Sequence, residues 1–192
     1  MIDLITKSKV RQNILKLLFA DPRKELYLSE IAKKINASIG NCRRELDKMA
    51  KAGILKTKKK GNLVLYAVNR QGAIYNELAK IISKTIGPEA ELKKLIREVG
   101  GVKFAFIFGS YLKKDFSANS DLDLFLIGEV DENKLVKKTR LLEDALGREI
   151  NYHLYGEKDF KTKVKTNSFL QNISKNQLFL TNNKNEFERL LK

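Results

Sequence analysis

The stretch FIFGSYLKKDFSANSDLDLFLIG, residues 106–128, places a polar segment between two apolar runs. The first run ends in Gly109 and Ser110, and the second run opens with Asp121 and Asp123. The first run lacks polar alternation, which is typical of a strand that is buried on both faces. Residues two apart in a strand share a face, so the two aspartates should project together while the leucines between them face the core.

Two ionised carboxylates held side by side repel each other, and a divalent cation removes that repulsion. Mg²⁺ prefers a few carboxylates plus substrate phosphate oxygens, so Asp121 and Asp123 are candidate ligands of Mg²⁺ or Mn²⁺. Gly109 permits a phosphate to approach the backbone closely, and the hydroxyl and amide of Ser110 can donate to it. The alternative is that the aspartates are only the polar start of an edge strand.

The Gly-Ser pair, ten residues and Asp-Leu-Asp resemble the minimal nucleotidyltransferases of the DNA polymerase beta superfamily, over residues 90–180. The resemblance implies that Gly109 and Ser110 hold a triphosphate while Asp121 and Asp123 are catalytic and carry two metal ions. It also implies transfer of a nucleoside monophosphate to an acceptor, with pyrophosphate leaving. Antitoxins of this superfamily modify a partner toxin, so the implied acceptors include proteins.

Five nearby positions extend or weaken this site. Lys113 and Lys114 lie where basic residues would meet phosphate. Active superfamily members usually place a third carboxylate on the next strand, and the matching position here is Asn151, an amide that cannot act as a base. Glu149 and His153 share its face. We expect Glu149 to be a rim residue and His153 to make a local hydrogen bond, with substitution for the missing acid as the alternative.

Residues 1–70 predict three helices followed by a hairpin. Apolar residues recur at helical spacing from Leu4 to Phe19, Ser29 is the expected N-cap of a second helix, and a third helix ends at Gly53. Two alternating strands then flank Gly61-Asn62, a strong hairpin signal.

That order, with EIAKKINASIGNCRRELDKMAKAGILKTKKKGNLVLYAVN as its centre, resembles the winged helix-turn-helix of ArsR-like regulators. The resemblance implies that the third helix enters the major groove of double-stranded DNA while the hairpin wing touches backbone. The residues mapped to DNA are Ser38, Asn41, Arg43, Arg44 and Lys48 on the helix and Lys56, Lys58, Lys59 and Lys60 on the wing. A protein-binding winged helix with a solvated charge run, or an RNA platform, is the alternative.

Charge supports a polyanion-binding first half. The chain carries 38 Lys+Arg against 23 Asp+Glu, a net charge of +15. Residues 1–85 hold 19 of these bases and 7 of the acids, whereas residues 86–192 hold 19 and 16. Such asymmetry indicates a basic face in the first half. A generally basic composition with solvated lysines is the alternative.

The predicted fold class is α+β, divided at Gly87-Pro88. Residues 1–86 form a winged helix-turn-helix with a connector helix, and residues 87–192 form a nucleotidyltransferase-like mixed sheet flanked by helices. Its last part should hold two short helices around an apolar strand at Gln177–Leu180. We expect Phe169, Leu170, Ile173 and Phe179 to belong to the core and not to a site.

The remaining bulk features exclude several classes. The single cysteine, Cys42, permits no internal disulfide and no cysteine metal cluster, which favours a reducing, cytoplasmic setting. No apolar run approaches the roughly 18 residues of a membrane span. Winged helices that read paired half-sites are often dimers, so we expect a homodimer.

Two functions compete at this point. The first is a DNA-binding protein with a Mg²⁺-dependent nucleotidyltransferase domain that modifies a protein or other acceptor. The second is a transcriptional regulator, or antitoxin-like autoregulator, whose degenerate transferase domain binds nucleotide without turnover. Asn151 is the residue that supports the second.

Overall fold

The computed structural model describes residue 2, residues 6–112 and residues 121–191. Lys113 and Lys114, two of the predicted phosphate-binding residues, lie outside these ranges. The chain divides into two compact units, Met1–Ala90 and Glu91–Lys192. The division falls four residues after the predicted boundary, in the first turn of helix α5 (Pro88–Val99).

The N-terminal unit has the winged-helix order. Its elements are α1 (Lys9–Ala20), β1 (Leu26–Tyr27), α2 (Leu28–Lys34), α3 (Ile39–Lys51), β2 (Leu55–Lys60), β3 (Leu63–Val68) and α4 (Tyr75–Thr85). The strands form an antiparallel sheet in the order β1-β3-β2, and Gly61 and Asn62 connect the last two strands. The predicted helix, helix, helix and hairpin are therefore confirmed, with β1 as an addition.

Local capping moves two helix starts from their predicted places. The side chain of Ser8 accepts a hydrogen bond from the backbone amide of Arg11, so α1 begins at Lys9. Leu4 and Ile5, at the start of the predicted helix, lie outside the described residues. The prediction that Ser29 caps α2 is wrong, because Tyr27 precedes the first turn and donates its amide to the Glu30 carboxylate at 2.8 Å.

The C-terminal unit is built on a mixed sheet. Its elements after α5 are β4 (Val102–Phe108), a 3₁₀ turn (Gly109–Leu112), β5 (Leu122–Gly128), α6 (Glu132–Leu146), β6 (Ile150–Tyr155), α7 (Glu157–Lys163), α8 (Ser168–Ile173), β7 (Leu178–Phe179) and α9 (Lys184–Leu190). The strand order is β6-β5-β4-β7, in which β5 and β6 are parallel and the other pairs antiparallel. This confirms the α+β class. After β6 the structure has three short helices where two were predicted.

Both faces of this sheet are buried, as the apolar run of β4 predicts. Leu122, Leu124 and Leu126 pack with α5 and α6 on one face. The other face is aromatic and is covered by α7, α8 and α9. There the rings of Phe106 and Phe125 stack with centroids 5.1 Å apart. Burying each such side chain contributes about 1.5–3 kcal/mol, so the two faces hold the strands, and hence their ends, in a fixed register.

Within the part of the chain that the structure describes, no helix is long and apolar enough to cross a membrane.

Candidate active site and nucleic-acid interface

The predicted catalytic residues meet at one edge of the mixed sheet. Because β4 and β5 are antiparallel, the end of β4 lies beside the start of β5, and Phe108 pairs with Asp123. Because β5 and β6 are parallel, their starts also coincide, and Asp123 lies next to Asn151. The structure therefore brings the Gly-Ser turn, both aspartates and Asn151 together from three separate segments.

Gly109 accommodates the Asp123 carboxylate. It adopts a φ of +72°, and a Cβ at this position would overlap the Asp123 Oδ2 atom. The backbone N–H of Ser110 donates to the same carboxylate. Sequence reasoning assigned that amide to the phosphate of a ligand; in the structure it positions Asp123. A glycine is required here because the carboxylate lies where a side chain would be.

The environment of Asp123 raises the pKa of its carboxyl group. Partial burial is the main cause, and the negative charge of Asp121 adds to it. The hydrogen bond from Ser110 and the charge of His153 act in the opposite direction. Asp121 itself is exposed. A cation between the two carboxylates would relieve both the desolvation and the repulsion.

Asn151 occupies the place predicted for it and is bonded to the site. Its Nδ2 donates to Asp121 Oδ2 at 3.2 Å, so an amide steadies a carboxylate where the family usually has a third acid. Glu149 is exposed at the rim, and its peptide oxygen accepts from the Leu122 amide at 2.9 Å. Among the described residues, no group of three or more His, Cys, Asp or Glu side chains is placed to hold a metal ion.

The carboxylates at this site nevertheless fit a magnesium ion whose remaining ligands come from a substrate. Mg²⁺ is commonly bound through one or two carboxylates together with substrate phosphates. Asp121 and Asp123 supply two carboxylates, and the amide of Asn151 is a neutral neighbour. When bound, the ion would neutralise charge on the phosphates and polarise them.

An aromatic group borders the carboxylates on the same face of the sheet. His153 follows Asn151 by two residues, and its ring centroid lies 5.9 Å from Phe108, 6.1 Å from Phe125 and 5.2 Å from Phe169. The prediction that Phe169 belongs to the core is wrong, because its side chain is 39% exposed. The short helix α8 turns Leu170 inward, which leaves its neighbour at the surface.

The predicted DNA-reading side chains of α3 all lie at the surface. The exposed residues are Ser38, Asn41, Arg43, Arg44 and Lys48. The Ser38 side chain caps the helix by accepting a hydrogen bond from the backbone N–H of Asn41 at 3.3 Å. The Arg44 guanidinium donates a hydrogen bond to the side-chain Oδ1 of Asn41 at 2.8 Å. The sequence did not predict a role for Asp47. This acid is exposed on the same helix and accepts a hydrogen bond from the Tyr66 hydroxyl at 3.1 Å.

The four wing lysines are exposed but divide between two faces. Lys59 pairs with Val64 across the hairpin and so shares a face with Tyr66, which contacts α3. Strand alternation places the others on the opposite face. These are Lys56, Lys58 and Lys60. The sequence treated the four lysines as one surface, whereas the pleat places only Lys59 of this set on the side of α3.

Comparisons with known proteins find a family match for the C-terminal part of the chain. The family model described as "Polymerase beta, Nucleotidyltransferase" matches residues 90–186, half of the chain. A curated protein of Methanocaldococcus jannaschii, named "Putative protein adenylyltransferase MJ0604", is 31% identical over 74 residues, which are 38% of this chain and 73% of that protein.

Two solved structures are similar to part of this chain. A crystal structure of a toxin-antitoxin with AMP-PNP has 19% identity and a TM-score of 0.40, covering 54% of this chain and 80% of that one. A homodimeric winged helix-turn-helix DNA-binding domain, Mb0332 from Mycobacterium bovis, has 16% identity and a TM-score of 0.34, covering 44% and 78%. Likenesses of this size carry no argument about function. The family model matches half of the chain, and the curated relative is 31% identical and covered over 73% of its length. On these two findings, this chain belongs to the polymerase beta nucleotidyltransferase family.

Proposed function

We propose that this chain binds double-stranded DNA through its N-terminal unit and transfers a nucleoside monophosphate from a Mg²⁺-bound nucleoside triphosphate through its C-terminal unit. The observation that carries the transferase proposal is the set of contacts that position the Asp123 carboxylate. Its carboxylate packs on Gly109, accepts the Ser110 amide and lies beside Asp121 at the sheet edge.

In the proposed step, an acceptor hydroxyl oxygen attacks the α-phosphorus of the nucleotide. A new phosphorus–oxygen bond forms, the bond from the α-phosphorus to the bridging oxygen breaks, and pyrophosphate leaves with the electron pair. The hydroxyl proton passes to solvent, because Asn151 cannot accept it. Asp121 and Asp123 would hold a Mg²⁺ ion that neutralises charge on the phosphates, and Gly109 keeps Asp123 in place. Proposed residues Ser110, Lys113 and Lys114 complete the triphosphate contacts.

A protein is the proposed acceptor class. The support is the name of the Methanocaldococcus jannaschii relative, "Putative protein adenylyltransferase MJ0604", which is 31% identical to this chain over 74 residues. The proposed partner is toxin-like, in keeping with the resemblance to antitoxins of this superfamily. The nucleotide base is left for the experiment to identify.

For the DNA proposal, the support is exposed positive charge. Arg43, Arg44 and Lys48 on α3 and Lys59 on the wing are all solvent-accessible. Such side chains release counterions when they neutralise phosphates, which drives association. A homodimer would place two such helices on paired half-sites.

The transferase proposal is tested by incubating the full chain with each labelled nucleoside triphosphate, Mg²⁺ or Mn²⁺ and extract of the native host. We expect label on a protein band with wild type, and loss of that label in an Asp121→Ala, Asp123→Ala double variant. Asp144→Ala removes an exposed carboxylate on α6 and is the matched control. Labelling that survives in the double variant would remove the assignment.

The second candidate is a regulator that binds nucleotide without turnover. The observation that favours it is the hydrogen bond from Asn151 to Asp121, which fills the third-acid position with a neutral group. Under this candidate the wild type binds nucleotide and Mg²⁺ but labels nothing in the extract.

A further inference from the structure

We propose that Phe169 and His153, here called the aromatic step, form a stacking subsite for the nucleobase of the bound nucleotide. The inference rests on the proposed transferase function and deepens it. The two rings lie with centroids 5.2 Å apart, and both side chains are exposed.

The register of the sheet places the aromatic step next to the carboxylates. Asn151 and His153 are two apart on β6, so they share a face and lie about 7 Å apart along the strand. Asp123 is the β5 neighbour of Asn151, and Phe125 is the β5 neighbour of His153. The step is thus one residue pair from the proposed metal site, which leaves room for a sugar between phosphate and base.

The aromatic step rests on a rigid floor. Phe125 is fully buried and Phe108 is nearly so. The ring of Phe169 meets that of Phe108 at 6.0 Å and 75°, an edge arrangement, while Leu170 and Ile173 anchor its helix in the core. The contact with Phe108 therefore holds one side of the Phe169 ring in place, while part of the ring remains exposed to solvent.

The chemistry of this surface suits a planar heteroaromatic ligand. Every nucleobase has a π-face, and stacking on aromatic side chains contributes to nucleotide binding without selecting one base strictly. In the described part of the C-terminal unit, the exposed large apolar side chains are Phe169 and Leu141. Leu141 lies on α6, which packs on the opposite face of the sheet, so Phe169 is the one placed at the carboxylates.

The test measures affinity with the full-length protein, Mg²⁺ and no acceptor, by titration calorimetry. The probes are ATP, GTP, CTP and UTP, with inorganic tripolyphosphate as the probe that lacks a base. The variants are Phe169→Leu, which keeps apolar volume without the ring, Phe169→Trp, which keeps a ring, and Leu141→Ala as the exposed apolar control.

We expect Phe169→Leu to weaken the best-bound nucleotide by roughly tenfold while tripolyphosphate affinity stays constant. Phe169→Trp and Leu141→Ala should retain wild-type affinity. Purine nucleotides should lose more than pyrimidine nucleotides, because their rings cover more area.

Three results would overturn the inference. Nucleotide affinity that is unchanged in Phe169→Leu excludes stacking of the base. Equal weakening of nucleotide and tripolyphosphate shows that Phe169 only supports the site's geometry. If Phe169→Leu leaves nucleotide affinity unchanged but abolishes labelling of the acceptor, the aromatic step contacts the acceptor and not the nucleobase. Failure of the proposed transferase function is distinct, since it shows as absence of labelling by the wild type in host extract, whereas these titrations contain no acceptor.

Discussion

The two units carry candidate sites of opposite construction. In the N-terminal unit, the candidate residues are exposed side chains on one helix and one hairpin, and each acts by its own charge. In the C-terminal unit, Gly109, Asp123 and Asn151 come from three separate segments and meet where β4 ends and β5 and β6 begin. A surface of independent charges should weaken in small steps, whereas an assembled site should fail when one part moves.

The largest effect should come from Gly109→Ala. The new Cβ overlaps Asp123 Oδ2 and displaces the carboxylate, and misplacement by about 1 Å can cost on the order of 100-fold in rate. Labelling of the acceptor measures the effect. Gly147→Ala is the matched control, because Gly147 has a similar φ of +66° but nothing within 4 Å of the new Cβ. Equal loss of labelling in both variants would attribute the effect to backbone strain alone.

Asn151→Asp should sharpen the contrast by completing a three-acid set. It removes the hydrogen bond to Asp121 and adds a charge, so the apo protein should melt at a lower temperature and Mn²⁺ should raise that temperature more than in wild type. We expect roughly tenfold tighter Mn²⁺ binding, since carboxylate count tunes affinity. If labelling appears only in this variant, the wild type is the non-turnover regulator. Unchanged Mn²⁺ affinity would show that position 151 does not reach the ion.

Lys59→Ala should weaken DNA binding by only a few-fold and lower the slope of log affinity against log salt by about one. Lys58→Ala, on the opposite face of the wing, should change the slope less. Affinity for duplex DNA at several salt concentrations measures both. Equal or larger effects of Lys58→Ala would show that the far face of the wing meets the duplex.

The smallest effect concerns stability of the N-terminal unit. Burial raises the pKa of Glu45, but the hydrogen bond and charge of Arg11, with Lys48, outweigh it and hold that pKa below its usual 4.5. The Arg11 Nε–Glu45 contact of 2.7 Å thus stabilises fully above pH 4.5 and is lost as the pH falls through the lowered value. Glu45→Gln should cost about 1 kcal/mol at pH 7.

Chemical denaturation of both proteins between pH 3 and pH 7 measures this difference, which should shrink as the pH falls. A constant difference across that range would assign the loss to packing and not to charge.

Particular elements show why prediction succeeded or failed. The hairpin around Gly61-Asn62, the third helix and the β4 and β5 strands followed from local pattern, because turn chemistry and apolar periodicity are set by neighbours in the chain. Ser29 and Phe169 were misassigned for a shared reason. Whether Ser29 caps a helix depends on the residue at which that helix starts, and whether Phe169 is buried depends on which side of its helix faces the core. A small shift in either gives the role to a neighbouring residue.

The sequence alone determined the charge asymmetry, the element types and the chemistry at Asp121 and Asp123, since these depend on residue identity and short spacing. Only the tertiary structure decided that the Ser110 amide positions Asp123, that Asn151 bonds Asp121, and that the wing lysines split. The first two facts depend on strand register, which brings residues that are far apart in the chain side by side and is held by the burial of both sheet faces. The third depends on which face of the hairpin packs on α3.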